Sequence, residues 1–244
     1  MLVDAVTHFA QLRGLDLSPY RLVIMDVVRA STTIAYALAH GATAVVPLGD
    51  PAAAIALRDA SPDRVLAGGE RGGLPVPGFD LGNSPREYTA ARVAGKRIAF
   101  STTNGTAAIL ACHGAREIIV GALVNLDAVA RHLLAGGTFS AGGDNAVLLV
   151  PVGRHGAPVF DDSLAAGILA SRLAAAGARL TDPAQALLAA AAPWRGSEIY
   201  ALRASPSGQA LIAAGLGDDL SVCAGVGALN VVPLLRNGEI RPAS

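Results

Sequence analysis

Two stretches of this chain repeat one arrangement of apolar and polar positions. Leu22-Val23-Ile24-Met25-Asp26-Val27-Val28 is an apolar run broken by one acid, and it leads through Arg29-Ala30-Ser31-Thr32-Thr33 into Ile34-Ala35-Tyr36-Ala37-Leu38-Ala39. Later, Ile98-Ala99-Phe100 leads through Ser101-Thr102-Thr103-Asn104-Gly105-Thr106 into Ala107-Ala108-Ile109-Leu110-Ala111. Each pattern predicts strand, hydroxyl-rich turn, helix. Each helix closes on His-Gly-Ala, at 40–42 and 113–115, before a β-branched run, Ala44-Val45-Val46 or Ile118-Ile119-Val120. Gly there supplies the left-handed residue past a helix end, and His meets the negative end of the helix dipole, so His40 and His113 read as terminators rather than ligands. The sequence thus predicts one domain over 1–244 with two pseudo-repeated β-turn-α-β units, about 22–48 and 97–121. Such units would put both Ser-Thr-Thr turns at the carboxyl ends of neighbouring strands, where open parallel sheets bind ligands.

Between and beyond the units, Leu17-Ser18-Pro19-Tyr20 ends a lead-in strand and turn, and Asp50-Pro51 caps an Ala-rich helix through Arg58. Val65-Leu66-Ala67 is a short strand. Gly68 to Pro85 is a long Gly- and Pro-rich loop in which Phe79 and Leu81 argue for packing against the body, and long ordered loops are commonly functional. Arg86-Glu87-Tyr88 starts a short helix and Leu126-Asp127 opens one to about Leu134. Asp144-Asn145 precedes the most apolar strand, Ala146 to Val152, whose unbroken run predicts burial on both faces. Asp161-Asp162 leads into a helix from Ser163 to Ala176, either as caps or facing the cleft. Asp182-Pro183 is read as cap and first turn of a helix through Ala191, residues 193–215 as one helical run with a turn at Ser205-Pro206-Ser207-Gly208, and Val231 to Leu235 as a last short strand.

Composition narrows the chemistry. Acids and bases balance at 19 each, so no net field draws the chain to nucleic acid or an anionic membrane, and any anion must be held by a local cluster. Lys96 is the one lysine, which removes a Walker-type phosphate loop and leaves a Schiff-base role only to a residue at the far end of the sheet from the Thr-rich turn. Cys112 and Cys223 have no paired spacing, so neither a disulfide framework nor a zinc site is expected, and a reducing cytoplasmic setting is the default. No stretch reaches the length of a membrane span, and neither an export signal nor an anchor is expected.

The turn at Ser101–Thr106 has two readings. Helix N–H groups, three Thr hydroxyls and the Asn104 amide around one point suit an oxyanion, with Gly105 allowing close approach; equally, they are a well-capped helix.

Four blocks decide between them. Met25-Asp26-Val27-Val28-Arg29-Ala30-Ser31-Thr32, Gly69-Glu70-Arg71-Gly72-Gly73 with Gly78-Phe79-Asp80-Leu81-Gly82-Asn83-Ser84-Pro85, Ser101-Thr102-Thr103-Asn104-Gly105-Thr106, and Phe160-Asp161-Asp162 with Ala166-Gly167 resemble the 2-phosphosulfolactate phosphatase family (ComB type) over nearly the whole chain. The resemblance implies a three-layer α/β/α fold with a largely parallel or mixed sheet, dependence on Mg2+, and hydrolysis of 2-phospho-3-sulfolactate to 3-sulfolactate and phosphate, a step of coenzyme M biosynthesis. The family commonly carries His where this chain has Ser207.

Phosphoryl transfer to water needs charge neutralisation, a positioned nucleophile and help for the leaving oxygen, much of which a carboxylate-held magnesium supplies. Asp26, Glu70, Asp80 and Asp162 are the acids available within the matching motifs. Asp26 leads, because a carboxylate in an apolar strand needs a partner, whether metal, Arg29 or backbone. Arg29 and Arg71 are the candidate clamps for phosphate, sulfonate or carboxylate, with Asp26 and Glu70 beside them as the catalytic set. Ser31, Thr32, Asn83, Ser84, Thr102, Thr103, Asn104, Gly105 and Thr106 are the candidate substrate contacts.

Two other phosphatase chemistries fit poorly. Arg154-His155-Gly156 spells the histidine-phosphatase triplet but far from the first strand, and Cys112 has Arg116 four residues on, where cysteine phosphatases need six. The remaining alternatives are a non-catalytic protein binding a small phosphorylated or sulfonated metabolite, and a phosphatase for a related phospho-hydroxy acid. The expected partner is a small anionic substrate, with a homo-oligomer left open.

Overall fold

The computed structural model describes residues 1–135, 146–154 and 156–243. Along the chain run β1 (Leu2–Ala5), β2 (Tyr20–Met25), α1 (Ala30–Ala39), β3 (Ala44–Pro47), α2 (Pro51–Asp59), β4 (Val65–Gly69), α3 (Ala90–Val93), β5 (Arg97–Ser101), α4 (Gly105–Ala111) and β6 (Glu117–Val120). Then come α5 (Leu126–Ala135), β7 (Ala146–Pro151), α6 (Phe160–Ala175), β8 (Arg179–Leu180), α7 (Asp182–Ala191), α8 (Glu198–Ala204), α9 (Pro206–Ala213), α10 (Asp219–Cys223), β9 (Pro233–Arg236) and β10 (Glu239–Pro242). β2-α1-β3 and β5-α4-β6 each run strand, helix, strand, but Ser31, Thr32 and Thr33 lie inside α1 rather than in the turn before it; Gly41 and Gly114 end the two helices with φ of 92° and 89°.

The ten strands of the described residues join one mixed sheet in the order β4-β5-β3-β10-β9-β6-β2-β7-β1-β8. β4, β5 and β3 are parallel to one another, as are β6, β2, β7, β1 and β8. Between the two groups stands the antiparallel hairpin β9-β10, joined to each side by antiparallel pairing. Three antiparallel steps reverse the sense, so in a flat sheet the carboxyl ends of β2 and β5 would face opposite edges, about 24 Å apart across five strand spacings. They instead meet: a Cβ added to Gly105 would lie 2.7 Å from Asp26 Oδ2. The sheet is therefore strongly curled around α1 and α4, as right-handed twist favours. The expectation that the two turns sit on neighbouring strands is thus corrected; curvature brings them together, not adjacency.

Side-chain alternation builds two main cores. Leu22 and Ile24 of β2 and Leu148 and Val150 of β7 pack with Ile34 and Leu38 of α1 and with Ile98 and Phe100 of β5. Val23, Met25, Val147 and Leu149 point the other way, against Val129 of α5, Leu164 and Leu169 of α6 and Leu187 of α7. α2 covers the outer side of β4 and β5 through Ala54, Val65 and Ala99, with Phe79 of the long loop laid against them. The result is the expected three-layer α/β/α fold, with β7 buried along its whole length.

Several boundaries differ from the sequence reading. α6 begins at Phe160, so Asp161 and Asp162 lie in its first turn. Thr181 rather than Asp182 is the N-cap of α7. Ser205 is not part of a plain turn: its side chain caps α9, which follows α8 directly, so 193–215 holds two helices. The last strand is a hairpin, turned by Asn237-Gly238, both with positive φ.

Candidate active site

The carboxyl ends of β2, β4, β5 and β7 converge on a cavity of about 140 Å³. Its floor is acidic. Asp26 leaves the end of β2, where its backbone N–H donates to Ser31 Oγ at 2.9 Å and its carbonyl accepts from Ser31 N at 2.8 Å, tying the strand end to α1. Asp162, buried in α6, accepts from the Val27 N–H at 2.8 Å through Oδ1 and from the Gly153 N–H at 2.9 Å through Oδ2. Asp161 lies alongside, and its buried Oδ1 has no hydrogen-bond partner. Burial first, then the charges of Asp161 and Glu70, push Asp26 up to about 7. Burial likewise raises Asp161, against the opposing Ser207 and Ser205 hydroxyls and Arg154, and raises Asp162 well above the carboxylate range with help from Asp161 and Asp26. Three acids so placed resist ionising together.

Glu70, at the end of β4, is seated in the turn that the sequence offers as an anion site. The Thr103 N–H donates to its Oε1 at 2.7 Å, and Thr103 Oγ1 and the Gly73 N–H donate to its Oε2 at 3.1 and 2.6 Å. The donors suit an anion, and here a carboxylate of the chain occupies them. Thr102 and Thr106 exchange hydrogen bonds with each other, so they stiffen the turn rather than line the cavity, while Asn104 lines it without capping α4.

The two candidate arginines differ. Arg29 lines the cavity and is buried, with Nη1 on Asp219 Oδ2 at 2.8 Å and Nη2 donating to the Gly73 carbonyl at 3.0 Å. Arg71 lies behind the wall, donating to the carbonyls of Glu70 and Gly49 and to Ser101 Oγ, so it shapes the loop. Among the other predicted contacts, Asn83 lines the cavity with its buried Oδ1 unpaired, but Ser84 Oγ donates to Asp219 at 2.6 Å and Thr32 Oγ1 to the Val27 carbonyl at 2.8 Å. Ser31 and Thr32 thus fasten α1 to β2.

Asp80 is not with the other acids. It is exposed, accepting from the Ala67 N–H at 2.8 Å and facing Arg58 at 3.5 Å, so its place as a metal ligand is corrected. Asp161, Arg154 and Ser207 line the cavity, and Asp219 stands behind it; none was among the predicted site residues. Asp161 was within reach of sequence reading as the neighbour of Asp162, whereas Asp219 carries no local signal. His155 of the triplet lies outside the described residues, as does the Asp144-Asn145 pair.

A cation fits this floor. Among the described residues no three of His, Cys, Asp and Glu close around a point as a metal cage. Magnesium, however, usually keeps several waters and takes one or two carboxylates plus substrate phosphate. The unpaired Asp161 Oδ1 and the mutual repulsion of Asp26, Asp161 and Asp162 are what a hard cation relieves. Glu70 and Asp162 already have their oxygens engaged, which leaves Asp26 and Asp161 as the freer donors.

An α/β fold whose strand ends surround buried acids and a buried arginine has the layout of an enzyme site for a small polar molecule. Comparison with known proteins gives the class a family. A family model described as 2-phosphosulpholactate phosphatase matches residues 10–238. The chain is 39% identical over 222 residues to a probable 2-phosphosulfolactate phosphatase of Deinococcus radiodurans, covering 91% of this chain and 90% of that one. It is 43% identical over 223 residues to a protein of the same name in Parasynechococcus marenigrum, covering 89% and 90%, and 38% identical over 221 residues to one in Symbiobacterium thermophilum, covering 89% and 92%. The chain belongs to the 2-phosphosulfolactate phosphatase family.

Proposed function

We propose that the chain is a phosphomonoester hydrolase that converts 2-phospho-3-sulfolactate to 3-sulfolactate and phosphate with Mg2+ at the cavity floor. The observation that supports this most is the cluster of half-buried Asp26 with buried Asp161 and Asp162 on one small cavity that the buried Arg29 also lines. An anion-binding protein has little use for that cluster, since uncompensated carboxylates repel an anionic ligand.

In this reading Asp26 and Asp161 hold the cation, and Asp162 holds the loops around Val27 and Gly153 that place them. When bound, magnesium would neutralise phosphoryl oxygens and lower the pKa of a coordinated water. Arg29 receives a second anionic group of the substrate through the N–H groups that Asp219 and Gly73 leave available. Thr103 holds Glu70 as part of the wall. No helix among the described residues is long and apolar enough to cross a membrane. The two buried free cysteines accord with a reducing cytoplasm.

Ser207 on the cavity wall, where the family commonly carries His, favours a second reading in which a related phospho-hydroxy acid is the preferred ester. Phosphate release from 2-phospho-3-sulfolactate and a panel of simple phosphomonoesters, with magnesium and then with chelator, separates the two. Selective, chelator-sensitive release supports the first. Faster release from a different hydroxy-acid ester supports the second, and chelator-resistant release contradicts the cation.

A further inference from the structure

The buried ion pair between Arg29 and Asp219 joins residues 190 positions apart and has a geometry that packing alone does not require. Both side chains are almost wholly enclosed, at 4% and 2% exposure. Asp219 sits in the first turn of α10 and has both oxygens used, Oδ2 by Arg29 and Oδ1 by Ser84 Oγ at 2.6 Å. Arg29 spends two of its five N–H groups on Asp219 and the Gly73 carbonyl and lines the cavity beside Asp26, whose proton affinity feels its charge.

A guanidinium this close to the floor has a competing choice. Released from Asp219, it would fall onto the carboxylate of Asp26, neutralising an acid meant for a cation and withdrawing a buried positive charge meant for an anion. The direct 2.8 Å charge-assisted bond on the far side prevents that. Ser84 fixes the carboxylate in turn, and the Gly73 carbonyl fixes the second nitrogen, so three chain segments hold one guanidinium plane.

We propose that Asp219 is a positioning residue that holds Arg29 as an anion receptor apart from the acidic floor, so that the cavity presents separate cationic and acidic ends to a substrate with several negative charges. Asp219 acts only through Arg29 and touches no substrate. The inference rests on the phosphatase reading of the cavity.

The test uses Asp219→Asn, Arg29→Gln and the double variant, with KM and kcat for 2-phospho-3-sulfolactate and, independently, calorimetric affinity for inorganic phosphate. Asp219→Asn raises KM and weakens phosphate binding by about 10- to 100-fold while kcat changes less, because misplacing a positioned group by an ångström has effects of that order. In the double variant the loss equals that of Arg29→Gln alone. If Asp219→Asn does not fold, Ser84→Ala, which keeps the ion pair but loosens its carboxylate, shifts KM and phosphate affinity in the same direction by about two- to fivefold. Wild-type affinity in the variants, losses that multiply in the double variant, or a wild-type protein that binds no phosphate overturns the proposal. A wild-type protein that binds phosphate through the Asp219-held Arg29 yet leaves the sulfolactate ester intact overturns the substrate reading alone.

Discussion

Asp26 follows β2 and Gly105 opens α4 after β5, two strands with four others between them in the sheet, yet a single methyl group on Gly105 would lie 2.7 Å from Asp26 Oδ2 and 2.7 Å from Ala30 Cβ. The flexible carboxylate could give way, but the Ala30 Cβ is fixed to the first turn of α1, so α4 and α1 must separate. Gly105→Ala is expected to destabilise the fold by about 1–3 kcal/mol, as over-packing does. It also widens the gap between the two turns, so activity falls more than tenfold while the circular dichroism stays that of a folded protein. Urea denaturation and phosphate release measure both.

The acid cluster sets a pH dependence. Asp26 titrates near 7 when folded and near its ordinary value of 3.8 when unfolded. Its folded value is raised, so the folded chain binds the extra proton across that interval and stability without a divalent cation falls as pH rises from about 4 to about 7. In the proposed reading, magnesium at Asp26 replaces the lost proton. The rise in melting temperature on adding Mg2+ is therefore larger at pH 8 than at pH 5, and a rise that is equal at both contradicts the cation assignment.

At the other end of β2 the sign reverses. Burial opposes ionisation of Glu117, but hydrogen bonds from Arg21 at 2.8 Å and His132 at 3.0 Å outweigh it and hold the carboxyl below its ordinary 4.5. A depressed carboxylate contributes stability that is full above its unfolded value and is lost as pH falls through the folded one. Acid titration of the melting temperature below pH 4.5 should be flatter in Glu117→Gln than in the wild type, although that variant starts less stable at pH 7.

Much of the fold is legible in the sequence because its signals are local. The two β-turn-α-β units, the Asp50 cap, the buried run of β7 and the packing of Leu81 all follow from spacing and composition. The curled mixed sheet does not, because it depends on the β9-β10 hairpin wedged between two parallel groups. Asn237-Gly238 is the available signal, a dipeptide suited to a tight hairpin turn between short apolar runs. In the site, Asp26, Arg29, Glu70, Asn83, Thr103, Asn104 and Asp162 are all found at the cavity. Asp80 misleads because motif membership does not say which way a loop carboxylate points, and it turns to Ala67 and Arg58 on the surface. Asp219 escapes notice because its partner is brought to it only by the tertiary fold.

The cysteines give a simple check on the core. Burial pushes both Cys112 and Cys223 up to about 12. At pH 8 only about one thiol in ten thousand is then ionised, and both are enclosed. The native protein should leave a disulfide reagent unreacted over hours and show two reactive thiols once unfolded in denaturant; fast labelling of either in the native state would contradict the packing of α4 or α10.

The proposed function requires the cavity at Asp26 to hydrolyse a phosphomonoester with a divalent cation. The most direct measurement is phosphate release from 2-phospho-3-sulfolactate in magnesium by the wild type and by Asp26→Asn, each shown to be folded by its melting curve. Asp26→Asn should keep a cooperative transition and lose at least a thousandfold in rate, about 4 kcal/mol of transition-state stabilisation. A folded Asp26→Asn that releases phosphate near the wild-type rate would contradict the account.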